Sequence, residues 1–510
     1  MADRTSRALV IGAGVGGLVS ALELARRGIE VVVLERAPKV GGKMRQVDVA
    51  GRAIDAGPTV MTMRWVLEEV FSSAGTSLDA ELALRRAEVL ARHAWGEGPT
   101  LDLYADLDRS VEAISTFAGR AEGEGYRRFC AYTQRIYDAV HKPFLCSERP
   151  SLGSAMVAVG ALGLQGMLSI DGHRTLWKAL GEFFRDARLR QLFGRYATYC
   201  GSSPFLAPAT LNVIAQVERD GVYLVEGGMY RVAEALARVA ERLGVTIRCG
   251  EHVTELVVSG DRAAGVRLAS GERLSADLVV HNGDPAALFE GMLGATGRRA
   301  IPAPAERSLS AVTWAFVAEA RGAYPLTRHN VFFSKDYHEE FRDLFERGVL
   351  PREPTVYVCA QDRDDGDRAP PGPERFLCLV NAPARGDQRA LTTSEIKQCE
   401  TAAFSLLERA GLVFPPFAAP PVVTTPSEFN RMFPATGGAL YGPASHGWKS
   451  PFVRASSRTK IPGLYLAGGA AHPGAGVPMA ALSGRLCAKA VIEDLASTSR
   501  SRETVMRGGI

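Results

Sequence analysis

The chain has 510 residues, room for roughly two to four ordinary domains or one large two-part enzyme. Hydrophobic residues make up 46% and charged residues 23%, the proportions of a soluble globular protein, which excludes a disordered chain, a collagen and a polytopic membrane protein. The formal net charge of +4 is too small to argue for nucleic acid, so no such partner is expected.

The N-terminus has the outline of a signal peptide, with Arg4 and Arg7 before an apolar run from Ala8 to Val19. Gly12, Gly14, Gly16 and Gly17 interrupt that run, and no cleavage site follows it. The glycines have a better explanation. Ala8-Leu-Val-Ile11 reads as a short buried strand. Leu18 to Arg27 reads as a helix with Leu18, Ala21, Leu22 and Ala25 on one face, ended by Gly28. Ile29 to Leu34 reads as a second strand, with Glu35 at its end. The turn Gly12-Ala13-Gly14-Val15-Gly16-Gly17 thus joins strand to helix in a β–α–β unit. Gly12 permits the tight turn, Gly14 lets the backbone approach a pyrophosphate, and Gly17 lets helix and strand pack closely. The helix N-terminus offers free N–H groups to phosphates. Glu35 is placed to accept hydrogen bonds from ribose hydroxyls, and its neighbour Arg36 is assigned to the same site. A GxGxxG turn in this full context, with a placed acid, is a strong dinucleotide signal.

A second glycine pair, in Gly41-Gly42-Lys43-Met44-Arg45, follows closely, and Asp55-Ala-Gly57-Pro58-Thr59 comes soon after. This arrangement resembles glutathione-reductase-like FAD proteins. Lys43 and Arg45 are expected to face the phosphates or the flavin edge. Near the C-terminus, Ile461 to Gly469 reads as a buried strand running into a glycine turn, Ala470 to Pro478 as a loop, and Met479 to Glu493 as a helix. This loop, with Gly468, Gly469, His472, Gly476, Val477 and Pro478, is expected to pass the flavin ring and ribityl chain, and His472 is the histidine expected nearest the ring. No Asp follows Gly468-Gly469, so backbone N–H groups must serve the ribityl chain. No second strand–GxGxxG–helix unit occurs. That argues against a nicotinamide domain and leaves oxygen, a quinone or another acceptor to take the electrons.

Eight cysteines are scattered singly, with no CxxC and no zinc spacing, so no metal is expected. They fit a reducing compartment, hence a cytoplasmic protein. Cys487 falls inside the last helix, so FAD is expected to bind non-covalently.

Together these segments resemble the carotenoid (phytoene) desaturase family of flavoproteins, relatives of the amine oxidases. Leu464-Tyr-Leu, Gly468 and His472-Pro-Gly-Ala-Gly-Val-Pro478 resemble that family's closing motif, and Asp55-Ala-Gly-Pro58 and Gly227-Gly-Met229 match family positions. Asp55 to Arg64, Ala91 to Trp95, Leu189 to Tyr199, Glu226 to Arg231 and Val356 to Arg363 are most similar to the 1-hydroxycarotenoid 3,4-desaturases of purple bacteria. The resemblance implies FAD-dependent removal of two hydrogens from an acyclic hydroxylated or methoxylated carotenoid, hydride to the flavin, at the C3–C4 bond. It also implies a glutathione-reductase-like Rossmann domain with an interleaved α+β substrate domain. The first is expected from 1–75, 227–282 and 455–495, with Val253 at the adenine. The second is expected from 76–226 and 283–454, followed by a flexible tail, 496–510. Alternatives on the same fold are a phytoene desaturase acting on unsubstituted carotenes, a flavin amine oxidase, and a non-enzymatic binding module like the prenyl-protein escorts.

Ser151 to Ile170 carries no charge in 20 residues but holds several glycines. It reads as a buried helix or a patch dipping into a membrane interface rather than a span. A lipophilic substrate requires membrane access, so peripheral association is expected. The catalytic base is not identifiable from sequence. Arg195, Tyr196 and His93 are the polar candidates on the substrate side, with Tyr196 and Tyr199 sharing a helix face.

Overall fold

β1 (Arg7–Ile11), α1 (Val15–Ala25) and β2 (Glu30–Glu35) form the N-terminal β–α–β unit of the computed structural model, which describes residues 6–148, 170–364 and 369–507. β3 (Thr246–Cys249), β4 (Leu278–His281) and β5 (Leu464–Leu466) complete a five-stranded sheet in the order β5–β4–β1–β2–β3. Every pairing in it is parallel. A parallel sheet is covered on both faces, so its inner strands read as unbroken apolar runs. Ala8, Leu9 and Val10 of β1 and Leu278, Val279 and Val280 of β4 are accordingly buried.

The stretch from Val245 to Val258 divides between two sheets. Gly250 turns the chain with φ +82°. β3 stays in the parallel sheet, and Val253–Ser259 opens a separate three-stranded antiparallel sheet with Arg262–Leu268 and Arg273–Ser275. The last helix, α2 (Val477–Arg507), starts earlier and ends later than its apolar pattern predicts. No Gly or Pro lies between residues 485 and 507 to stop it, so helix occupies much of the expected tail. α1 and α2 cross almost backbone to backbone. The Ser20 hydroxyl donates to the carbonyls of Gly16 (2.8 Å) and Gly484 (3.2 Å). A Cβ on Gly484 would lie 2.5 Å from the Gly16 oxygen.

The second body is built on a mixed seven-stranded sheet, in the spatial order Val422–Thr424, Ser310–Ala318, Glu374–Ala382, Val356–Ala360, His329–Phe332, Val89–Ala94 and Leu101–Tyr104. Strand alternation gives it two distinct faces. Trp314, Phe316, Phe376, Cys378 and Val380 pack under the helix Thr393–Arg409, against Ala403, Leu406 and Leu407. The intervening residues Thr313, Leu377, Leu379 and Asn381 turn the other way and line a cavity. The segment 76–226 contributes two strands to this sheet. Its helices Arg120–Val140 and Val213–Asp220 lie over the cavity's far side.

The uncharged stretch Ser151–Ile170 lies outside the described residues except for Ile170. No helix among the described residues is long and apolar enough to cross a membrane. Nor do those residues gather a His, Cys, Asp or Glu cluster suited to a metal.

Candidate active site

The glycine turn after β1 wraps around one side chain that the sequence reading did not single out. Asn282 follows β4, and its N–H bonds the Ile11 oxygen (2.9 Å), extending the sheet by one rung. Its amide nitrogen donates to the Gly12 carbonyl (3.1 Å). A Cβ on Gly14 would lie 2.9 Å from that nitrogen, and Cβ atoms on Gly16 and Gly468 would lie 2.7 Å from the amide oxygen. The glycines therefore leave room for this amide as well as for a ligand. Gly17 has a separate reason: its Cβ would lie 2.1 Å from the Gly12 oxygen. Gly14 caps α1 with extended backbone and no side chain, so the first-turn N–H groups of Val15, Gly16 and Gly17 have no partner within the helix. This cradle fits a pyrophosphate.

Glu35 lines the same cavity but also shapes it. One carboxylate oxygen accepts the Ala13 N–H and the other the Ala37 N–H, each at 2.7 Å. Val253 lines the cavity beside Glu251 and His252, at the end expected to take adenine. The Arg36 guanidinium donates to the carbonyls of Arg431 and Met432, and ties the turn to the second body. Asp55 accepts the Met229 N–H at 2.5 Å, and a Cβ on Gly228 would strike its carboxylate at 2.2 Å. Gln361 in turn clamps the Asp55 backbone through both its N–H (3.0 Å) and its carbonyl (2.7 Å).

Lys43 and Arg45 part company. Lys43 lines the cavity, donates to the Leu440 carbonyl (2.6 Å), and burial lowers its pKa to about 8. Arg45 is directed away. Its guanidinium bonds the Thr424 hydroxyl (2.9 Å) and lies over the Phe429 ring, so the expected phosphate or flavin contact is corrected to a bridge between the two bodies. Gly42, Met44, Gly57, Pro58 and Thr59 line the cavity. A Cβ on Gly57 would lie 2.0 Å from the Lys43 oxygen.

Gly468, Gly469, Gly476, Val477 and Pro478 line the cavity from the C-terminal side. His472 does not. Its Nε2 faces the carbonyls of Phe144 (3.1 Å) and Ser147 (2.8 Å), and its ring meets Phe144 edge-on. Burial lowers its pKa to about 4, so the ring is neutral and holds its proton for those carbonyls. The expected place near a flavin ring is corrected: His472 pins the segment 144–147. The residue beside the glycine turn is instead Arg454, which donates to the carbonyls of Gly469 (3.1 Å), Tyr441 and Pro443 (both 3.0 Å).

All these elements border one cavity of about 820 Å³ that continues between the sheet and the helices of the second body. A family model described as flavin containing amine oxidoreductase matches residues 15–492, nearly the whole chain. The chain belongs to the flavin-containing amine oxidoreductase family. Within it, the chain is 52% identical to a hydroxyneurosporene desaturase of Rubrivivax gelatinosus, over 99% of this chain and 97% of that protein. It is 46% identical to a hydroxyneurosporene desaturase of Cereibacter sphaeroides, over 97% and 99%. Among solved structures, putrescine oxidase superposes with a TM-score of 0.60 at 16% identity, covering 96% of this chain and 99% of that one. Cyclohexylamine oxidase from Brevibacterium oxydans superposes with 0.55 at 16%, covering 97% and 100%. These last two are likenesses of fold.

The substrate-side candidates of this flavin-family member separate as well. His93 is stacked with Trp95 and Phe333, its Nδ1 on the Leu101 carbonyl (3.0 Å), and it does not line the cavity. Burial first, then the Arg195 charge, lower its pKa to about 3. It is a neutral core residue, which corrects its candidacy as an acid or base. Tyr196 is also corrected. Its hydroxyl donates to Glu218 from behind the cavity wall. Arg195 and Tyr199 do line the cavity, on a 3₁₀ turn Arg195–Cys200 that follows the helix Ala187–Gly194. One Arg195 nitrogen donates to the Tyr199 hydroxyl (2.8 Å), which donates to Glu218 (3.0 Å). Across the cavity the Tyr357 hydroxyl is 2.7 Å from both Thr59 Oγ1 and His329 Nδ1.

Lys43 gives the site a testable pH dependence. FAD is anionic, and a cationic amine on the cavity wall would attract it. Above pH 8 the amine deprotonates, so FAD affinity is expected to fall by up to about tenfold per pH unit. Fluorescence titration from pH 7 to 9 measures this. Lys43→Met is expected to bind more weakly at pH 7 and to lose the slope, and an unchanged slope in that variant rules Lys43 out.

Proposed function

We propose that this chain is a desaturase of acyclic 1-hydroxylated or 1-methoxylated carotenoids, introducing the C3–C4 double bond with FAD held non-covalently. The observation that carries the reading is one continuous cavity joining the dinucleotide cradle to a mostly apolar passage. The hydroxyneurosporene desaturase names of full-length relatives support the substrate class. Non-covalent binding is supported by the cysteines. Among the described residues Cys200 alone of them lines the cavity, and Cys487 is buried within α2.

Bound FAD supplies a two-electron acceptor for the hydride leaving the substrate. The protein's share is binding and alignment. Gly14, Glu35 and the α1 N-terminus would hold the pyrophosphate and ribose, Val253 the adenine end, and Gly57 to Thr59 with Gly468 and Gly469 the ring end. Leu211, Ile214, Val217, Leu377 and Leu379 exclude water from the passage and keep an extended polyene in line. Trp448, 55% exposed, stands at the cavity's edge with Leu206 (48%) joined to it through the Gly447 N–H. We take this apolar edge to be where a bilayer-dissolved substrate enters.

The test is anaerobic incubation of FAD-loaded protein with 1-hydroxyneurosporene in liposomes. Flavin bleaching with one new double bond in the product is the expected result. Turnover of phytoene alone would replace the substrate assignment, and no reaction with any carotene would end it. Pelleting the same liposomes checks the membrane contact, which protein left wholly in the supernatant would refute.

A further inference from the structure

The geometry points to a subsite for the substrate's C1 oxygen, formed by the Arg195 guanidinium and the Tyr337 hydroxyl, which makes these two residues the specificity determinants of the cavity. The inference rests on the substrate class proposed above. Arg195 and Tyr337 both line the cavity and are 9% and 6% exposed. Among the described residues the Tyr337 hydroxyl has no hydrogen-bond partner. Of the five N–H donors a guanidinium carries, that of Arg195 uses one, on Tyr199. Tyr199 and Tyr196 occupy both oxygens of Glu218, so that carboxylate is engaged by hydroxyls. Buried donors left without an acceptor are costly and rare. The Tyr337 hydroxyl is such a donor, and the spare Arg195 N–H groups border the same cavity, so a ligand that brings lone pairs would engage both.

The two residues act on one another. The Arg195 charge opposes the rise that burial imposes on the Tyr337 phenol. The same charge reaches His329, whose partner Tyr357 bonds Thr59 in the loop expected at the flavin. A C1 oxygen belongs at that end of the passage, because C1 is only two carbons from C3. The Thr59–Tyr357–His329 chain is the weaker candidate for this task, since the Tyr357 hydroxyl already has two partners. Both proposed groups donate, so the ligand oxygen needs only to accept. A methyl ether then serves as well as a hydroxyl, and a bare hydrocarbon end leaves both donors unpaired.

The test is equilibrium binding to dithionite-reduced holoenzyme, which cannot oxidise its ligand. Tryptophan fluorescence quenching is read with 1-hydroxyneurosporene, 1-methoxyneurosporene and neurosporene in detergent micelles. The protein is expected to prefer both oxygenated carotenoids to neurosporene. Tyr337→Phe should reduce that preference about five- to tenfold and Arg195→Met more, each leaving neurosporene affinity nearly unchanged. Tyr324→Phe is the control. Its hydroxyl is also unpartnered, but it packs in the sheet core away from the cavity, and its preference should stay at the wild-type level. A full preference retained in folded Tyr337→Phe overturns the subsite while leaving the substrate class standing. Equal binding of all three carotenoids by the unaltered protein overturns the substrate class and the subsite with it.

Discussion

Gly14→Val is expected to purify as a folded protein with no bound flavin. The position has extended backbone, φ −73°, which valine adopts without strain. What valine lacks is space. Its Cβ would lie 2.9 Å from the Asn282 amide nitrogen, and its two methyls would stand in the cradle where the pyrophosphate belongs. The amide is a side-chain end that can yield, so the fold should survive and binding should not. Gly17→Val makes the contrast. There the Cβ meets the Gly12 carbonyl at 2.1 Å, which is backbone, and the result should be a destabilised protein rather than a folded apoprotein. The flavin absorbance at matched circular dichroism distinguishes them. A yellow Gly14→Val protein would remove the cradle assignment.

The second large effect is expected at Asn282. Asn282→Leu keeps the side chain's size but leaves the Gly12 carbonyl without its donor, in a turn sealed by Gly14, Gly16, Gly17 and Gly468. Leaving a buried carbonyl unpaired costs about 1–3 kcal/mol. The branched tip must also fit where glycines already approach the planar amide closely, which adds about 1–3 kcal/mol of overpacking. Together these predict a thermal midpoint lower by several degrees, and the displaced glycine turn is expected to weaken flavin binding as well. Thermal melts with and without added FAD check both, and a wild-type Kd for FAD would show that Asn282 is a bystander.

Sequence legibility followed how local the physical cause is. The β1–α1–β2 unit is read from adjacent residues, because strand burial, glycine turn and helix face are all set within thirty positions. The glycine-rich loops near Gly57 and Gly468 are legible for the same reason. Asn282 was missed because nothing beside it in sequence marks it; its partners lie 270 positions away. Arg454 and Tyr337 were missed likewise. The errors have one cause too. The sequence places His93 and Tyr196 in regular elements and Arg45 and His472 in loops, but does not tell what stands opposite them. A stacked Trp95, a carboxylate from Glu218, a Phe429 ring and two backbone carbonyls decided those four cases.

The order of strands in the nucleotide sheet carries a consequence for synthesis. β1 is made before the other four strands and sits at the sheet's centre, flanked by β2, the next of them, and by β4, which follows more than 240 residues later. β5 and the start of α2, which close the cradle, are made about 180 residues after β4. The N-terminal unit must therefore wait with both edges unpaired until β3 and β4 have been made, an opening for chaperones and for aggregation alike. Cofactor loading is by the same logic expected only after β5 has been made. A nascent chain halted before residue 464 should carry no flavin, however much of its second body has already folded.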